Sequence, residues 1–262
     1  MRAAGMVLLT GLAIAGLDFP RPALAAEPAP AGKSALELAR QNVQAADFRA
    51  SGHLVRVDAD GKRTNDAIVL KAHWFPGVLR IEVEISSPAE ARAHLLLQMR
   101  PGGEDTIQIA HPGDHAPRAL PLESWTGGPL GPAFSYEDLL EAQLFWAHQA
   151  IVEQAKYGAR DCDVIRSVPG PGDRTGYAEV KSWLDRAIGY PVHVEKTMKK
   201  TGVIKEFTYF GLRKNEGVWS ASQVEVKVRG QAGSTLLIID RGSPHAHLDL
   251  KDFRAEQLTV FQ

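Results

Sequence analysis

Between Leu79 and Ile85 the chain alternates without a break: Leu79, Ile81, Val83 and Ile85 are apolar, and Arg80, Glu82 and Glu84 are charged. A period of two puts the apolar set on one face of a strand and the charges on the other, and a slip of one residue would exchange the faces. Such a segment needs a sheet with one face buried and one face in water. Similar runs recur along most of the chain, so a mainly β architecture is the first expectation.

The period begins at Asp47, where Phe48, Ala50, Gly52 and Leu54 alternate with Arg49, Ser51, His53 and Val55. Turn residues then separate predicted strands at Asp66 to Phe75, Leu79 to Ile85, Arg92 to Met99 and Asp105 to Ala110. From His111 to Phe134 the pattern dissolves into Pro, Gly and single aromatics, an irregular length of chain that is usually functional or disordered. Strands resume at Ile151 to Tyr157, Asp161 to Val168, Tyr177 to Leu184, Tyr190 to Met198, Val203 to Leu212, Val218 to Arg229 and Ser234 to Arg241. Two helices interrupt them. Ser34 and Glu37 fit a capping box that opens a helix to Ala46 with Leu36, Ala39 and Val43 on one stripe, and Ser135 opens a second bearing Leu139, Leu140 and Gln143. About a dozen strands in hairpin order, with helices whose stripes need cover, predict one large curved antiparallel sheet or unclosed barrel around the helices.

Met1 to Ala26 has the layout of a secretory signal: Arg2, an apolar run from Met6 to Leu17, and the A-x-A step Ala23-Leu24-Ala25. The organisation expected is a signal peptide at 1–25, a Pro/Ala/Gly tether at 26–33 and one β domain at 34–262. A lipid anchor would need a cysteine directly after the signal, and the single cysteine is Cys162, so an unanchored exported protein without internal disulfides is expected. Thirty Lys and Arg against 31 Asp and Glu give no basic field for nucleic acid.

Catalytic and metal signatures are weak. Cys162 sits between Asp161 and Asp163, carboxylates that raise rather than lower a thiol pKa, so a buried structural cysteine is expected. His111 and His115 lie around Asp114, and His245 and His247 lie near Asp249, but neither set supplies a full zinc ligand set. Phosphate-binding and nucleophile-elbow motifs are missing from the sequence. Lys196, Lys199, Lys200 and Lys205 are expected on a solvated hairpin, with contact to anionic headgroups as the alternative.

The segment Phe134-Ser135-Tyr136-Glu137-Asp138-Leu139, the run Arg160 to Ile165, the strand pair Tyr177 to Leu184 and Tyr190 to Lys196, and the ending Leu248 to Leu258 resemble bacterial outer-membrane lipoprotein-sorting proteins of the LolA-like superfamily. The similarity is mainly with the branch that shares an F-S-Y-x-D-L segment. The resemblance implies a periplasmic protein with an unclosed antiparallel barrel of LolA/LolB type, a helical lid, an apolar cavity that shields acyl chains, and neither metal nor cofactor. Its implied partners are lipoprotein acyl chains or lipid, with an inner-membrane transporter and an outer-membrane acceptor as further candidates; a monomer is expected, and the balanced charge speaks against nucleic acid.

Physical reasoning converges on the same expectation. Carrying an acyl chain through water requires replacing that water with an apolar lining, at about 0.8 kcal/mol per methylene. Candidate lining residues are Leu79, Ile81, Val83, Leu95, Leu97, Val192, Val194, Val224 and Val226, with Trp74 and Phe210 adding bulk. The alternative for each is plain core packing. The helices and the loop from His111 to Phe134 are the expected lid. Two rival functions remain at this point: an envelope-stress sensor or protein-interaction module on the same sheet, which predicts an exposed apolar patch, and a hydrolase using Cys162 or a histidine.

Overall fold

A computed structural model describes residues 33–127 and 133–261. The expected signal peptide lies outside the described residues, as does the tether apart from Lys33. Helix α1 runs from Ala35 to Gln44, and Ser34 caps it as expected, with the Glu37 N–H donating to Ser34 Oγ at 3.2 Å and the Ser34 N–H to the Glu37 carboxylate at 2.8 Å.

Six strands follow: β1 (Asp47–Val57), β2 (Arg63–Phe75), β3 (Val78–Ser87), β4 (Ala93–Met99), β5 (Thr106–Ala110) and the short β6 (Arg118–Ala119). After the intervening segment come β7 (His148–Tyr157), β8 (Arg160–Val168), β9 (Tyr177–Asp185), β10 (Pro191–Met198) and β11 (Ile204–Phe210). The chain ends with β12 (Arg213–Asn215), β13 (Val218–Ser220), β14 (Gln223–Val228) and β15 (Ser234–Pro244).

Thirteen of these strands form one antiparallel sheet in the order β6-β5-β4-β3-β2-β1-β15-β14-β11-β10-β9-β8-β7. Two meanders therefore meet along the β1–β15 seam, and the sheet stays open between β6 and β7. The seam is close: a Cβ at Gly52 would stand 1.9 Å from the Ile238 carbonyl oxygen, beside the register shift at Ser51 and Gly52. Glycine at this bulge is what lets the two backbones approach.

The topology leaves the chain one long journey, from edge β6 to edge β7, and the described residues on either side of 128–132 pack on the inside of the curve. Trp125, Phe134, Tyr136, Leu140 and Trp146 are all buried on that path, within the main apolar cluster shared with Ile85, Leu95 and Ile109. The outer face of β3 to β5 is covered differently. There, 3-10 turns at Leu250–Phe253 and Ala255–Thr259 lay Phe253 and Leu258 against Leu96 and Ala110.

Two expectations are corrected. The second helix is instead a pair of 3-10 turns, Tyr136–Leu139 and Ala142–Leu144, broken at Glu141, whose φ is +48°. Its polar side chains are held by partners across the sheet, and these tertiary bonds override the local tendency to continue the helix. The strand expected from Val218 to Arg229 is divided. Val218–Ser220 leaves the large sheet to pair with Arg213–Asn215, and only Gln223–Val228 lies beside β11.

Candidate functional site

Under the β1–β15 seam the curved sheet encloses a cavity of about 320 Å³. Its floor comes from alternating residues of neighbouring strands: Ala50 of β1, Leu70 and Ala72 of β2, and Leu79 and Ile81 of β3. Opposite them stand Val224 of β14, Leu237 and Ile239 of β15, and Phe207 of β11. Ala39, Val43 and Ala46, from α1 and the residues just after it, add to the wall, and the β12–β13 hairpin contributes Trp219 and the exposed Arg213. Because inward positions recur every second residue, this wall follows directly from the alternation in the sequence.

The candidate lining residues divide among several environments. Leu79, Ile81 and Val224 line the cavity. Val83, Leu95, Leu97, Val194 and Val226 belong to the filled core, and Val192 is buried outside that cluster. Trp74 is half-buried and stacks on Phe145 with centroids 5.6 Å apart. Phe210 is exposed, because on β11 it has the opposite parity to Phe207 and Tyr209. Phe134 and the 139–141 turn reach the cavity, whereas Leu120 and Trp125 pack in the core.

The polar end of the cavity is formed by the 3-10 turn at Tyr136–Leu139. The Asp138 carboxylate lines the cavity and accepts five hydrogen bonds. Tyr177 Oη at 2.7 Å and Lys196 Nζ at 3.1 Å donate to one oxygen; Ser135 Oγ at 2.7 Å, the Ser135 N–H at 2.8 Å and Lys205 Nζ at 3.3 Å donate to the other. Lys205 also donates to Ser135 Oγ at 2.9 Å. Burial opposes the charge on Asp138, but Lys205, Lys196 and the Tyr177 hydroxyl outweigh it and hold the carboxyl well below the usual range.

The basic cluster is therefore corrected. Lys196 and Lys205 are 3% and 2% exposed, while Lys199 and Lys200 are at the surface. Lys196 and Lys205 are paired directly across β10 and β11 on the inner face, an arrangement that is unfavourable for like charges unless a counterion lies between them. Asp138 is that counterion. The Phe207 ring, 4.7 Å from Lys196 Nζ, and the Tyr177 ring, 5.4 Å away, complete the surroundings.

Glu141 is the second carboxyl on the cavity wall. Tyr209 Oη donates to it at 3.1 Å, and Tyr190, whose ring packs edge-on against Tyr209, also lines the cavity. Burial pushes the Glu141 carboxyl up, with Lys196 and the Tyr209 hydroxyl pulling the other way. The signals missed in the sequence were parities: Lys196 continues the inward set Val192 and Val194, and Lys205 precedes Phe207 and Tyr209.

Other candidate sites do not converge. Cys162 is buried, and burial together with Asp185 pushes its thiol up to about 11, which leaves little thiolate. Among the described residues no three His, Cys, Asp or Glu side chains group as metal ligands. The His247 N–H donates to Asp47 at 3.0 Å and ties the C-terminal segment to β1.

A family model described as an uncharacterized protein matches residues 80–260. No curated protein matches. Solved structures do. A putative outer membrane lipoprotein-sorting protein domain from Vibrio parahaemolyticus aligns at TM-score 0.76 and 20% identity, over 86% of this chain and 98% of that one. A DUF1329 family protein from Desulfovibrio piger aligns at 0.74 and 17%, over 86% and 97%. A LolA superfamily protein from Nitrosomonas europaea aligns at 0.65 and 15%, over 87% and 100%. The fold is that of the LolA superfamily, an open curved antiparallel sheet.

Proposed function

Since the chain belongs to the uncharacterized-protein family whose model spans residues 80–260, its role has to be argued from its own cavity, and we propose that it is a carrier of acyl chains. The observation that carries the reading is the cavity of about 320 Å³, walled by Ala50, Leu70, Leu79, Ile81, Val224 and Leu237 inside an open sheet. That volume is at the lower end of ligand pockets, and an apolar wall offsets roughly 0.8 kcal/mol of hydration cost for each methylene it covers.

Residues 34–262 act in this reading as one unit, exported to the periplasm after loss of the signal peptide. The unit carries a lipoprotein or lipid as a monomer between an inner-membrane donor and an outer-membrane acceptor. The likeness in fold to the lipoprotein-sorting domain from Vibrio parahaemolyticus supports that assignment. Binding is reversible and involves no covalent step. The cargo enters at the β12–β13 hairpin, and displacement of Trp219 opens the mouth.

Native mass spectrometry with lipid extraction, on protein purified from an envelope fraction, tests the reading. A stoichiometric acylated ligand is the expected result. Reproducibly empty protein that retains a defined protein partner would replace the carrier with a sensor on the same sheet.

A further inference from the structure

The cavity has an open rim and a closed inner end. Its exposed lining residues, Ala45, Phe48, Arg213, Asn215, Gly242 and Ser243, come from the end of α1, the start of β1, the β12–β13 hairpin and the end of β15. Away from this rim the lining stops strand by strand. Past Leu70 of β2, Ile81 of β3 and Val224 of β14, the next inward residues are Ile68, Val83 and Val226, which are at most 3% exposed and belong to the filled core. Two rings stand at the inner end: Phe207, which pairs with Val226 across β11 and β14, and Phe134, both buried and with centroids 6.1 Å apart. The charged lining residues are engaged or outside. Asp47 accepts from the Leu248 N–H at 3.0 Å, Asp138 is paired with Lys196 and Lys205, Glu141 accepts from Tyr209, and Arg213 is exposed.

A methylene displaces about the volume of one water, roughly 30 Å³, so a cavity of about 320 Å³ holds about ten of them. We infer that the cavity encloses a single acyl chain, tail first from the rim, to a depth of about ten carbons, and that Phe134 and Phe207 set this limit. The inference rests on the carrier reading and adds to it the number and length of the chains enclosed. A second chain of that length would need the volume again. Pushing further inward would force close-packed core side chains off their rotamers, so the inner end resists extension. Carbons past this depth stay at the rim in water, whereas each enclosed methylene tightens binding about fourfold, the equivalent of about 0.8 kcal/mol.

The test is isothermal titration calorimetry of the mature protein with hexanoyl, octanoyl, decanoyl, lauroyl, myristoyl and palmitoyl lysophosphatidylcholine, each below its micelle concentration. One head group throughout leaves tail length as the only variable. Kd is expected to fall about fourfold per methylene from hexanoyl to decanoyl, and by less than about twofold in all from lauroyl to palmitoyl. Didecanoyl phosphatidylcholine, with a second chain on the same head, is expected to bind within about threefold of the decanoyl lysolipid. A Kd that keeps falling at the same slope to palmitoyl, or a second chain that tightens binding about tenfold or more, would overturn the inference and leave the carrier standing. Phe207→Ala, and Phe207→Leu as the milder change, both checked by circular dichroism and melting curve, are expected to move the plateau toward longer chains, alanine further than leucine. An unmoved plateau in a folded variant would overturn the part given to Phe207. Failure of every lysolipid to bind would overturn the carrier reading and the inference with it.

Discussion

Leu70, Ala72, Leu79 and Ile81 reach the cavity because every second residue of two neighbouring strands faces inward, whereas Asp138 reaches it from an irregular turn and is held by Lys196, 58 residues further on, and by Lys205. The apolar wall is periodic and made of interchangeable parts. The polar end is a set of pairwise matches in which each member leaves another unsatisfied if removed. Cores tolerate volume-conserving changes in the first kind of structure, while in the second the removal of one partner leaves a buried charge uncompensated.

The largest effect should come from the polar end. Asp138→Ala leaves two ammonium groups buried and facing each other, and a loss of about 5 kcal/mol in urea unfolding is expected, the top of the range for breaking a buried pair. A loss under about 1 kcal/mol would mean that the lysines find water once Asp138 is gone, and the contrast between the two ends would disappear. The same interaction sets an acid limit. Asp138 has a folded pKa depressed below its unfolded value near 3.9, so its contribution is fully present above about pH 5 and is lost as pH falls through the folded pKa. The urea midpoint of the wild type is expected to fall from pH 5 toward pH 3 more steeply than that of Asp138→Asn.

Within the apolar residues the comparison becomes finer. Leu95 is fully buried in the filled core, and Leu95→Ala should cost about 4 kcal/mol. Ile81 faces the cavity and already lacks neighbours on one side, so Ile81→Ala should cost about 2 kcal/mol. Equal losses would imply that the cavity collapses around its lining in solution.

How far the sequence disclosed this arrangement follows the same division. The strands, the first helix with its Ser34 cap and the open sheet were legible because they repeat a local pattern. The turn at Ser135 to Asp138 was visible as a capping signal, but its extension into a helix was not realised, since Tyr209 takes the Glu141 carboxyl and Tyr177 with two lysines takes Asp138. The division of Val218 to Arg229 could not be read, because Val218 to Ser220 pairs locally with Arg213 to Asn215 and Trp219 lines the cavity, neither of which shows in the alternation. Whether an inward residue lines space or fills it depends on its neighbours across the sheet: Ile81 and Val83 have the same parity and a similar size, yet only the first reaches the cavity.

The four lysines near the β10–β11 turn make the smallest and most discriminating test, because composition alone treats them as one basic cluster. Lys200 is exposed, and Lys199 donates to the Thr175 carbonyl at 3.1 Å from a surface position. Lys196 alternates with Val192 and Val194, and that parity carries its ammonium inward to Asp138. Lys200→Ala should change stability by no more than about 0.5 kcal/mol, the ordinary range for surface positions. Lys196→Ala removes one of the two cations that allow Asp138 to remain charged, and about 3 kcal/mol is expected. Measured by urea unfolding at pH 7, the two values separate charge placed by strand parity from charge left in solvent. Similar small losses for both would indicate that Lys205 alone suffices as the partner of Asp138, and the polar end would then be as tolerant as the wall.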